Sequence, residues 1–227
     1  VEADGFEVSA GGTLPTPMTW PPGSPGPSST RACSRATSGG SSAVIDRETI
    51  RVFRDMGRDI YLGGLTTSHG GNMSVRDGDR LIITRRGSML GRLGDDDLVE
   101  TGMEPCTADE RCSREIVVHR AIYAATDARA IVHAHPPHTV ARSFTHDVIV
   151  PVDSEGLYVL GEVPVVEAAT TIASEEAAAV LAEALAGAPV AVLRTHGPFA
   201  TGATLEEAFM HVSVLEASAV ILDLLGK

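Results

Sequence analysis

Residues 130–140 read AIVHAHPPHTV, which puts three histidines within six residues in a chain that has only eight. The apolar run 130–134 predicts a short buried strand. Side chains alternate across a strand, so His133 and His135 share one face. Pro136 and Pro137 then open a helix, because the first helical turn tolerates a missing N–H. A His-x-His strand pair can supply two imidazole ligands to a metal at about 2.0–2.1 Å. The same spacing also suits two histidines that only hydrogen-bond at a strand end.

A catalytic zinc needs a third protein ligand and an open position. The candidate is His196 in RTHGPFATG, residues 194–202. It follows a buried strand at 190–193, and the missing Cβ of Gly197 lets backbone pass close by. His138 lies a turn into the helix after the pair and is expected near the site rather than on the metal. His69, His146 and His211 read as structural or surface residues.

Outward from these strands the pattern alternates between helices and strands. Asp46 caps a helix whose apolar spacing runs through Ile50, Phe53, Gly57 and Ile60 until Gly63 and Gly64 stop it. SHGGNMSV, a DGD turn and LIIT read as a hairpin. Helices are expected at 114–125, 174–186 and 205–225, and strands near 148–152 and 163–166. No strict βαβ repeat appears, so the fold class is α/β with a mixed or antiparallel sheet.

Residues 11–42 are dominated by Gly, Pro and Ser and cannot bury enough apolar surface to offset chain entropy. The expected organisation is a disordered extension over 1–42 and one domain over 43–227. Acidic residues outnumber basic ones 30 to 18, a net charge of −12. That balance argues against nucleic acid or an anionic membrane as partner. No apolar run approaches the roughly 20 residues of a membrane span, and no secretory signal is legible. Three cysteines are too few for a disulfide framework, so a cytoplasmic setting is expected.

Glu115 and His119 stand four residues apart on the predicted helix 114–125. The pair is either a base beside the metal or a hydrogen bond on the helix surface. The glycine-rich stretches SHGGN (68–72) and TRRGSMLG (84–91) could aim N–H groups at an anion or merely serve tight turns. They match neither a P-loop nor a dinucleotide fingerprint. There is no G-x-S-x-G elbow. The single lysine is Lys227, the last residue, so Schiff-base chemistry is excluded and carbanion chemistry must be metal-assisted.

GGNMSVRDGDRLIITRRG, SREIVVHRAIY, IVHAHPPH and RTHGPFATG occur in this order, and together they resemble the class II aldolase/adducin-head family over about residues 44–226. The likeness is strongest to its fuculose-phosphate-aldolase-type members. The resemblance implies a three-layer α/β/α sandwich around a central, largely antiparallel sheet. It also implies a homotetramer with active sites at subunit interfaces, one residue coming from the neighbour, for which Tyr158 is the candidate. It implies Zn²⁺, or another divalent transition metal, on His133, His135 and His196, with Glu115 as acid/base. The metal would polarise a hydroxyketone and stabilise its enediolate.

An anion cradle for a small-molecule substrate maps onto Asn72, Arg86, Gly87, Ser113 and Arg114. The fuculose-phosphate pattern has small hydroxyl residues where this chain has Arg86 and Arg114, whose forks fit phosphate or carboxylate. The implied activity is lyase-type cleavage of a small phosphorylated ketose. Alternatives are a metal-dependent decarboxylase, a sugar-phosphate dehydratase or epimerase, and, from another class, a metal-free adducin-like interaction module.

Overall fold

A computed structural model describes residues 45–227. The expected extension over 1–42 and its boundary lie outside the described residues. Helix α1, Arg47–Leu62, starts where the Asp46 carboxylate accepts the Thr49 N–H at 2.8 Å, and it ends at Gly63. Strands β1 (Asn72–Asp77) and β2 (Arg80–Thr84) form the expected hairpin, with Asp77 paired to Arg80 across a two-residue turn. β3 is Leu98–Gly102, α2 Ile116–Ala125, β4 Ala130–His133 and α3 Pro137–Ser143. There follow β5 (Val148–Ile149), α4 (Ser154–Val159), β6 (Val163–Val166) and α5 (Glu175–Leu185). β7 (Val190–Leu193), β8 (Gly197–Gly202) and α6 (Leu205–Leu224) close the domain.

The eight strands form one sheet in the order β3-β2-β1-β4-β8-β7-β6-β5. Every pairing is antiparallel except β6 with β7, the pair joined by the α5 crossover. Alternation then divides the core. Met73, Ile82, Val132, Val192 and Ala200 face α1 and α6. Leu81, Ile83, Ile131, Ala191, Leu193 and Phe199 face α2 and α5. The result is the expected three-layer α/β/α sandwich around a largely antiparallel sheet.

Three details differ from the sequence reading. The helix expected at 114–125 begins at Ile116, because Ser113, Arg114 and Glu115 form the turn that enters it. The strand expected near 148–152 stops at Ile149, ahead of Pro151. β3, β8 and α4 are additions that the sequence reading does not anticipate. Among the described residues no helix is long and apolar enough to cross a membrane.

Candidate metal centre and its carboxylate

His133 ends β4 at the middle of the sheet, paired with Asn72 of β1 on one side and Phe199 of β8 on the other. Its ring stacks on Phe199 with centroids 3.9 Å apart. His135 follows where the chain leaves the sheet, and its N–H donates to Leu65 O at 2.9 Å. His196 sits in the tight turn between β7 and β8, which closes with Leu193 opposite Gly197. At Gly197 (φ 154°) a Cβ would stand 2.3 Å from Ala134 O, so only glycine lets the two loops meet. Thr195 before it holds a left-handed φ of 64°, a strained setting for a β-branched residue. Its N–H donates to the buried Ser143 hydroxyl at 2.9 Å, which pins the turn.

The three imidazoles converge. His133 Nε2 lies 2.9 Å from His135 Nε2 and 3.1 Å from His196 Nε2. His133 Nδ1–H donates to Pro198 O at 2.9 Å, and His196 Nδ1–H to Thr171 O at 2.8 Å. A neutral imidazole has one N–H, so both Nε2 atoms present lone pairs to each other. Burial holds all three rings below the usual histidine range, His135 at about 4, which keeps them neutral. Facing lone pairs at that distance repel unless a cation lies between them. Nitrogens bound to one zinc at about 2.0–2.1 Å stand about 3.3 Å apart, close to the spacing found. The donor set therefore fits a divalent transition metal, with carbonyls fixing two of its ligands from behind.

Glu115 occupies the N-cap position of α2 and is only 5% exposed. Its Oε1 is 3.9 Å from His196 Nε2, and its buried Oε2 has no hydrogen-bond partner. Burial raises the carboxyl to about 7, against smaller opposing effects from the Ala173 N–H and the Arg114 charge. The alternative of a helix-surface pair with His119 is thereby overturned, since both side chains face the interior. Thr171 and Ala173 share one loop, so a single segment touches a histidine of the cluster and the carboxylate together.

His138 turns away from the cluster, with Nδ1 2.6 Å from Asp223 Oδ2 on α6. Beside His135 and His196 opens a cleft of about 590 Å³, walled by Pro137, Val140, Phe144 and Ile172.

The expected anion residues lie on three segments, of which those carrying Arg86 with Gly87 and Ser113 with Arg114 are stitched together while Asn72 starts β1. Ser113 N–H donates to Thr84 O at 3.0 Å and Arg86 N–H to Arg111 O at 2.9 Å. Arg86, Gly87 and Arg114 are exposed, Ser113 is half-buried and Asn72 is buried. Gly71 (φ 76°) sets Asn72 against β4, where a Cβ would come within 2.6 Å of His133 O.

On spacing alone His119 reads as Glu115's neighbour on the helix surface. It is fully buried, with Nε2 2.6 Å from Asn72 Oδ1 and Nδ1 2.6 Å from Ser74 Oγ. Burial takes its ring down to about 3. The signal that finds it is the i, i+4, i+8 stripe Glu115, His119, Tyr123.

Three histidine nitrogens that could hold a metal ion lie beside a buried carboxylate, at the edge of an open cleft, on an α/β/α sandwich. Residues 51–222 match the class II aldolase and adducin N-terminal domain family, and the chain belongs to that family. It is 31% identical to the L-fuculose phosphate aldolase of Methanocaldococcus jannaschii over 176 residues, 75% of this chain and 94% of that protein. It is 30% identical to the 3-oxo-tetronate 4-phosphate decarboxylase of Escherichia coli K12 over 172 residues, 72% of this chain and 80% of that one. The L-fuculose-1-phosphate aldolase structure from Thermus thermophilus superposes with a TM-score of 0.77 at 41% identity, covering 80% of this chain and 95% of that one.

Proposed function

We propose that this protein is a class II aldolase that cleaves a small phosphorylated ketose, with His133, His135 and His196 holding a divalent metal, zinc being the first choice. The observation that carries the reading is the pairing of Glu115, near 7 and dry, with three neutral imidazoles whose Nε2 atoms face one point. A bound divalent metal supplies a Lewis acid for the hydroxyl and carbonyl oxygens of a hydroxyketone.

The chain's own residues do the rest. Retro-aldol cleavage releases the proton of the aldehyde half's hydroxyl to solvent and turns that hydroxyl carbon into a carbonyl as the carbon–carbon bond breaks. The electron pair is left on the carbon beside the ketone carbonyl. Glu115 in its acid form delivers a proton to that carbon, and as carboxylate it takes the proton back in the condensation direction. A pKa near the working pH suits both roles. Its unpartnered Oε2 is the atom assigned to this transfer. Asn72, Gly87 and Ser113 offer polar groups to the phosphate, and Arg86 and Arg114 add charge at the same end. The cleft walled by Val140, Phe144 and Ile172 receives the aldehyde half.

The support from relatives is that the proteins named above carry phosphate in their substrate names, and two are fuculose-phosphate aldolases. One observation favours a second reading. The chain carries Arg86 and Arg114 among the residues assigned to the anion end, both exposed, and two guanidinium groups suit a substrate that bears a carboxylate as well as a phosphate. Loss of carbon dioxide from a 3-oxo acid leaves the same kind of carbanion, so a phosphorylated 3-oxo acid is the alternative substrate.

Self-assembly completes the reading. Phe144, Val148, Val150, Val152, Leu157 and Tyr158 are exposed apolar side chains along one stretch of sequence, a strip that starts at Phe144 on the cleft wall. We assign this strip to contacts with further copies in a homotetramer, with Tyr158, 92% exposed, as the side chain lent to a neighbouring site. The metal-loaded protein should be given ketose 1-phosphates and a phosphorylated 3-oxo acid side by side, with aldehyde and carbon dioxide as readouts. Aldehyde release supports the aldolase, carbon dioxide alone the decarboxylase, and neither product removes both.

A further inference from the structure

The inner stripe of α2 carries a polar chain that the reaction does not consume. Tyr123 OH is 2.8 Å from Ser74 Oγ, Ser74 Oγ is 2.6 Å from His119 Nδ1, and His119 Nε2 is 2.6 Å from Asn72 Oδ1. Tyr123, Ser74 and His119 are fully buried, and Asn72 nearly so. Among the described residues nothing accepts from the Asn72 NH2 group, yet that group is not sealed in the interior.

We propose that His119 is a positioning residue for the anion pocket, its Nε2–H holding the Asn72 carboxamide so that the NH2 group faces the phosphate. This rests on the reading above, which places Asn72 in that pocket.

The direction of the chain follows from counting protons. An Asn carboxamide oxygen only accepts, so His119 must carry its hydrogen on Nε2. Nδ1 is then an acceptor, and the Ser74 hydroxyl must donate to it. Ser74 Oγ is left to accept, and Tyr123 donates.

The opposite tautomer leaves the chain one acceptor short. His119 Nδ1–H would donate to Ser74, and since only one of the Ser74 and Tyr123 hydroxyls could then donate to the other, the remaining O–H would be a buried donor with no acceptor, which is costly. The Asn72 amide would have to flip, turning its carbonyl oxygen toward the anion. One arrangement therefore attracts phosphate and the other repels it. The two buried hydroxyls, Ser74 and Tyr123, find acceptors for both hydrogens only when His119 Nδ1 accepts, which selects the first.

The test is isothermal titration of the metal-loaded protein with inorganic phosphate, with metal content and thermal midpoint followed in each variant. His119→Phe should weaken phosphate binding about tenfold, the loss expected for one well-made hydrogen bond in the site. It should retain one metal per chain. His119→Gln, whose amide can restore a donor near the Nε2 position, should recover most of that loss. Asn72→Ala should weaken binding by a similar factor. The double variant His119→Phe/Asn72→Ala should be no worse than Asn72→Ala alone, because His119 acts through Asn72.

Additive losses, or wild-type phosphate affinity in His119→Phe beside a weakened Asn72→Ala, would overturn the positioning role and leave the pocket assignment standing. Wild-type affinity in Asn72→Ala would remove Asn72 from the pocket and the role of His119 with it. If His119→Phe does not fold, the tautomer decides in the wild-type chain. Imidazole nitrogen NMR should find the hydrogen on Nε2 of His119, and finding it on Nδ1 would overturn the inference.

Discussion

Glu115 Oε1 stands 3.9 Å from His196 Nε2, a carboxylate and an imidazole brought together from a helix start and a strand turn 81 residues apart. Neither belongs to the other's local structure. The sheet brings them together, and what each can do follows from the burial they share.

The Nε2 atoms of His133 and His196, 3.1 Å apart with both Nδ1 atoms beside carbonyls, form with His135 a donor set that fits a cation. Replacing His196 with Ala should therefore remove the metal while leaving far-UV circular dichroism unchanged, since the ring lies outside both core clusters. The same holds for His135→Ala. Elemental analysis checks both, and full occupancy in His196→Ala would contradict the ligand set.

Glu115→Gln keeps nearly the same shape but has no proton to move. Metal content should stay at the wild-type level, and kcat should fall roughly 10²–10⁴-fold, the usual contribution of a general acid–base group. A kcat within a few-fold of wild type would make Glu115 a structural residue.

Burial raises the Glu115 carboxyl from 4.5 to about 7, and this has a sign in the metal-free protein. Between those values the folded state binds more protons than the unfolded state, so stability falls as pH rises. The cost is absent below about pH 4.5 and complete above about pH 7, at roughly 3 kcal/mol. Urea unfolding of chelator-treated protein should show Glu115→Gln gaining on wild type across that window by an amount of this order. Parallel pH profiles for the two proteins would mean the carboxylate is not desolvated.

What is legible in the sequence depends on whether the relevant contact is local. The hairpin at 72–84, the capped α1 and the strand leading into His133 announce themselves through turn chemistry and period, though β4 ends at His133 and leaves His135 just beyond the sheet. The convergence of His196 on His133 is suggested by a glycine after a buried strand. β8 escapes the sequence reading because Gly197, Pro198 and Gly202 give GPFATG a turn's composition. It is a strand only because β4 and β7 pair with it on both sides. Spacing misplaces His119 for a similar reason. Its partners Asn72 and Ser74 are 47 and 45 residues away, on a strand whose position under α2 no local pattern specifies.

Arg86 and Arg114 sit on segments joined by the Arg86 N–H to Arg111 O bond. Truncating either to Ala should raise KM for a phosphorylated substrate far more than it lowers kcat, because the handle is held equally before and during reaction. A charge-assisted contact of about 1.5–3 kcal/mol corresponds to roughly 10- to 150-fold in kcat/KM. An unphosphorylated analogue should be indifferent to the change. Equal kcat/KM for wild type and both variants would place the two side chains outside the pocket.

The central claim is that Glu115, beside a three-histidine metal centre, moves a proton at the carbon next to a carbonyl. Proton exchange tests it without any need to know the aldehyde. Metal-loaded protein is incubated in D2O with dihydroxyacetone phosphate alone, and the hydroxymethyl protons are followed by NMR. The expected result is steady replacement of one hydrogen by deuterium in wild type, none above background in Glu115→Gln, and none after the metal is removed from wild type. Exchange that continues undiminished in Glu115→Gln, or its absence from metal-loaded wild type, would contradict it.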